Sequence, residues 1–98
     1  MKISKSMRGK ALIVRVEGWL DIESNREFAD FMKEIPVQEE LILDFSELEY
    51  ISSSGIREIV ALIHRQPEGT FSITGVNQNV MAVFEMIGLN EKVPITAK

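Results

Sequence analysis

The stretch LILDFSELEYISSSGIREIVAL, Leu41 to Leu62, decides the fold. It opens on LILDF, an almost unbroken apolar run of the kind expected in a strand covered on both faces. It closes on a different period. Ile56, Ile59, Val60 and Ile63 recur at i, i+3, i+4 and i+7, which is one face of a helix. Between the two stand Ser52, Ser53, Ser54 and Gly55, a small hydroxyl-rich turn. Strand, turn and helix in succession are half of a parallel crossover unit.

The same alternation extends outward. Phe28, Phe31, Met32 and Ile35 match the helical template, as do Val80, Val83, Phe84 and Ile87. Ser24 with Glu27 three residues on predicts a capping box, and Pro36 stops that helix. Asn77 is placed to cap the last helix, with Gly88 as its left-handed terminator and Leu89 as the apolar contact. The runs ALIVRVEG, ELILDFS and TFSITG read as strands, and MKISKSM joins the first of them through RGK, a hairpin turn. VPIT adds a short edge strand, since Pro94 suits no central position. The predicted fold is α/β: one domain over residues 1–98, with a small, mixed, mostly parallel sheet in the order β-β-α-β-α-β-α and a closing strand. Its functional rim is expected where strands end and helices begin, at Gly18 to Ile22, Ser46, Ser52 to Gly55 and Gly75 to Asn79.

Composition narrows the function. The 98 residues hold no cysteine and a single histidine, His64, which excludes disulfides and leaves little for a metal site. No apolar run nears the ~20 residues of a membrane-spanning helix, so no membrane insertion is expected. The apolar stretch after the basic N-terminus is broken by Arg15 and Glu17, unlike a secretory signal, and a cytoplasmic setting is expected. Lys2, Lys5, Arg8 and Lys10 are the only charges in the first ten residues. Taking these four from the net −4 leaves −8 on the remainder, which argues against direct binding of nucleic acid.

Three roles come into question for the serine turn. One serine as a helix cap contributes ~1 kcal/mol over alanine. Nucleophilic catalysis fails on spacing: a nucleophile elbow needs glycine two residues before its serine, and Ile51 or Ser52 stands there. His64 lies about three helical turns on, ~15 Å from the serines, so it cannot serve as their base. The third role is phosphorylation. A phosphate at a helix N-terminus suits the domain itself, yet a partner docked over it must bury an unpaired dianion at a cost of several kcal/mol.

Taken together, LILDFSELEYISSSGIREIVAL, the flanking VRVEGWLDIESNREF and the closing FSITGVNQNVMAVFEMIGLNEKVPI resemble STAS domains, the fold of anti-sigma factor antagonists. The resemblance spans nearly the whole chain. It implies helices stacked on the sheet as a β-α superhelix, no catalysis and no cofactor. It also implies a switch: the unmodified domain binds an anti-sigma factor with serine kinase activity, and the kinase phosphorylates Ser53. The modified form lets go, and a PP2C-type phosphatase restores it. On this resemblance the docking surface comprises Asp21, Ser52, Ser54, Gly55, Ile56, Gly75 and Asn77. Ser52 stands where many regulated antagonists carry aspartate. A constitutive STAS subunit of a transporter or signalling scaffold is the alternative.

Overall fold

The computed structural model describes residues 1–98. Lys2–Arg8 (β1) and Ala11–Leu20 (β2) form an antiparallel hairpin across Gly9 and Lys10. Then follow Asn25–Lys33 (α1), Glu40–Ile51 (β3), Ser53–Arg65 (α2), Phe71–Val76 (β4) and Gln78–Met86 (α3). A short 3₁₀ turn, Leu89–Glu91, leads to the edge strand Ile95–Ala97 (β5). The strands lie side by side in chain order, and β2 to β5 are parallel. Each crossover steps one strand in the same direction. Right-handed connections therefore place all three helices on the same face of the sheet.

That face is the core. Leu12, Leu41 and Phe71 lie in register across three strands, as do Val14, Leu43 and Ile73, and all six are buried. The helices return Phe28 and Met32, Ile59 and Leu62, and Val80 and Phe84 against them. Phe45 and Phe84 meet with ring centroids 6.4 Å apart. Arg65 at the end of α2 donates to the carbonyls of Met32 and Ile35, closing the C-terminal end of α1.

Several expectations are corrected. LILDF is covered on one face only: Ile42 and Asp44 are half-buried beside Ile13, Ser72 and Thr74 on the helix-free side. A sheet wound in one direction has a bare face, and an apolar run does not reveal which sheets are so wound. The strand also runs past Ser46 to Ile51. Its register against β2 slips between Arg15 and Glu17 and again between Gly18 and Trp19, each time with one extra residue on β3. Ser24 and Glu27 form no capping box; Ser24 has helical backbone angles and no side-chain cap bond. Ile87, expected in the core, is 50% exposed because α3 ends at Met86. Asn77 does cap α3 through Val80 N, and Gly88 is left-handed at φ 75° with Leu89 buried behind it. No helix is long and apolar enough to cross a membrane.

Candidate functional site

The carboxyl ends of β2 and β3 are stitched together where the helices begin. Ser52 N donates to Leu20 O at 2.8 Å, so β3 passes directly into α2 alongside the end of β2. Ser52 is the N-cap: its Oγ accepts from Gly55 N at 3.3 Å and pairs with Ser54 Oγ at 2.9 Å. Ser52 is buried and Ser54 half-buried, while Ser53 alone projects into solvent from the first position of α2. The three serines thus divide their work. Two hold the turn and one is free.

Gly55 explains why the turn is so small. A Cβ there would stand 2.9 Å from Leu20 Cγ and 2.9 Å from Ile51 Cγ1, so α2 approaches the sheet as only glycine permits. Gly55, expected in the docking face, is buried beneath the turn. Gly75, expected in the same face, is half-buried. It lies within β4 at φ 73°, and a Cβ would meet Ser46 Cα at 2.9 Å. Ser46 is itself inside β3 and not on the rim. This glycine lets β4 pass over the first irregularity of β3.

Asp21 organises the neighbouring turn. Its Oδ1 accepts from Ser24 N at 3.0 Å and from Ser24 Oγ at 2.9 Å, while Ser24 Oγ accepts from Asp21 N at 2.9 Å. The backbone and side-chain hydrogen bonds from Ser24 hold the carboxyl of Asp21 below the ordinary 3.8, since they stabilise its charged form. Asp21 and Ser52 line one shallow cavity of about 350 Å³ with Trp19, Ile22, Glu23 and Tyr50. Asn77 stands across the rim, where its Nδ2 donates to Leu48 O at 2.9 Å and Glu49 O at 3.3 Å. It ties the irregular part of β3 to α3. Ile56 is half-buried in the second turn of α2.

The structure therefore gathers Asp21, Ser52, Ser53, Ser54 and Ile56 at one end of the sheet, with Gly55 buried behind them and Gly75 half-buried within β4. To Trp19 of the expected rim it adds Glu49 and Tyr50, which were not singled out from the sequence. Tyr50 packs on Trp19 with ring centroids 5.0 Å apart, and Trp19 Nε1 donates to Glu49 Oε2 at 3.2 Å. The signal was present in the spacing of Phe45, Leu48 and Ile51, which abandons alternation for a step of three. His64 is exposed in the last turn of α2, far from the serines.

A family model described as Mlab, STAS domain, matches residues 3–95. No curated protein matches the chain. Among solved structures, an anti-sigma factor antagonist from Mycobacterium paratuberculosis is similar with a TM-score of 0.91 at 16% identity, covering 99% of this chain and 86% of that one. The anti-sigma factor antagonist SpoIIAA in its unphosphorylated form has a TM-score of 0.67 at 15% identity, covering 99% and 88%. The phosphorylated form of SpoIIAA, a Bacillus cell fate determinant, has a TM-score of 0.62 at 14% identity, covering 99% and 93%.

Proposed function

The chain belongs to the STAS domain family, and from that premise we propose that it is an anti-sigma factor antagonist switched by phosphorylation of Ser53. The unmodified domain binds an anti-sigma factor that is also a serine kinase; the phosphorylated domain releases it, and a PP2C-type phosphatase resets it. The protein acts by binding and not by catalysis. One observation carries the assignment of the acceptor: Ser53 is the exposed serine of the turn, while Ser52 and Ser54 are held by each other and by Gly55 N. The likeness to SpoIIAA in both its unphosphorylated and phosphorylated forms supports phosphorylation on this fold.

The mechanism is a change of surface. A phosphate on Ser53 sits at the N-terminus of α2, where negative charge is favourable by ~0.3–1 kcal/mol, so the fold tolerates it. A partner covering the turn must instead bury an added charge of roughly −1.5 to −2, and each ~1.4 kcal/mol of that cost is tenfold in affinity. A constitutive STAS subunit of a transporter or scaffold is a second reading. It is favoured by the completeness of the Ser52 cap, which accounts for the turn without a phosphate.

Capture from host lysate on wild-type and Ser53→Asp baits tests both readings. A small ATP-binding kinase retained by the wild type and lost from Ser53→Asp is the expected result. Equal recovery of a transporter component on both baits overturns the switch.

A further inference from the structure

Trp19, Tyr50 and Ile22 remain 54%, 45% and 80% exposed, although Leu20 and Ile51 beside them are in the core. Exposed apolar surface concentrated at one end of a small domain marks a docking site, and Trp and Tyr are the side chains that most often anchor one. The surrounding charge states what docks. Two cavities meet at Tyr50, and the side chains lining them include the carboxylates of Asp21, Glu23 and Glu49 and no Lys or Arg. Glu49 is already drawn to the indole by Trp19 Nε1.

We infer that this platform takes a basic, apolar-anchored segment of the protein partner. An aliphatic side chain fills the cavity beside Ile22, and an Arg or Lys lies over the tilted Trp19–Tyr50 pair against Glu49. Cation–π attraction and the carboxylates act together on that cation, while the same carboxylates repel an anionic ligand. The inference rests on the rim being a partner-docking surface and adds the chemistry of the partner. Glu49 lies three residues before Ser52 along β3, about 10 Å at ~3.3 Å per residue. The cation is therefore not placed to neutralise a phosphate on Ser53.

The chain has one tryptophan, so its fluorescence and its indole N–H resonance report this platform alone. The intact chain is titrated with two blocked hexapeptides, Leu-Arg-Leu-Leu-Arg-Leu and its counterpart with Glu at both Arg positions. The Arg peptide is expected to shift both Trp19 signals. Glu49→Gln weakens its binding about three- to tenfold, and so does screening at high salt. Glu68→Gln, in the loop between α2 and β4 at the opposite end of the sheet, leaves that binding within about twofold. Equal binding of the Glu peptide, silence with the Arg peptide, or Trp19 signals that change with chain concentration alone would each overturn the inference; the last would assign the platform to a second copy. An absent Arg-peptide response with intact loss of the kinase on Ser53→Asp sinks the platform alone. A normal Arg-peptide response with equal capture on both baits sinks the switch alone.

Discussion

From Leu41 to Asp44, β3 is paired on both sides, with β2 and with β4, and buried and half-buried residues alternate strictly. From Ser46 to Ile51 it pairs with β2 alone, through two register slips, and shows Glu47, Glu49 and Tyr50 to solvent. The regular half sends one residue outward for each it buries. The irregular half sends two: Ser46 and Glu47 between Phe45 and Leu48, then Glu49 and Tyr50 between Leu48 and Ile51. A bulge is thus a way to gain outward side chains without losing inward anchors. Stability and recognition are separated along a single strand.

The sharpest way to break this division is to truncate one aromatic from each half. Phe45→Ala removes a fully buried ring that faces Phe84 and is expected to cost about 3–5 kcal/mol in urea unfolding. Tyr50→Ala removes a half-exposed ring and is expected to cost under ~1 kcal/mol while abolishing capture of the partner. Comparable destabilisation by the two would mean that the irregular half is core after all.

Gly75→Ala tests the seam between the halves. The substitution must adopt φ 73° and set its Cβ 2.9 Å from Ser46 Cα, a backbone atom that cannot swing aside. Left-handed strain and overpacking together predict a loss of about 2–4 kcal/mol by the same measurement. Near-neutral behaviour would show that β4 does not depend on its close passage over the bulge.

This seam also marks how far the sequence could be read. The helices were legible because their apolar period agrees with a cap in the serine turn and one at Asn77, and the regular strands because ALIVRVEG, ELILDFS and TFSITG are short apolar runs between turns. Bulges hide from such a reading. The step from Phe45 to Leu48 to Ile51 has the spacing of neither a regular strand nor a helix face, so the segment passes for a connection. The glycines were ambiguous for a related reason. Gly55 and Gly75 lie close to the serines in the chain or in the motif, but their small size serves contacts with Leu20 and Ser46 that only the folded chain reveals. The serine turn was legible as a group; its division into two structural hydroxyls and one free one depended on knowing which of them point inward.

That division is open to a smaller test. Ser52→Ala removes the cap of α2 and is expected to cost ~1 kcal/mol, whereas Ser53→Ala leaves unfolding unchanged within a few tenths. Ser53→Asp is expected to leave the fold unchanged or stabilise it by up to ~1 kcal/mol, since it adds charge at the helix N-terminus. Parallel losses in Ser52→Ala and Ser53→Ala would return all three serines to the turn and leave no free acceptor.

The smallest effect is expected at Asp21, on the rim but outside the serine turn. Its folded-state carboxyl titrates below the ordinary 3.8 because Ser24 donates to the ionised form through both backbone and hydroxyl. A depressed carboxylate stabilises the native state above its unfolded pKa. The contribution is therefore full above about 3.8, is lost as pH falls toward the folded value, and is absent below it. Asp21→Asn should bring the two melting profiles together in acid while leaving a small constant gap at neutral pH. The gap should be small because the carboxylate is open to water, which weakens what any single pair of hydrogen bonds contributes. Equal melting temperatures at neutral pH would show that Ser24 bonds the amide as well as the carboxylate, and that geometry rather than charge fixes the turn beneath Trp19.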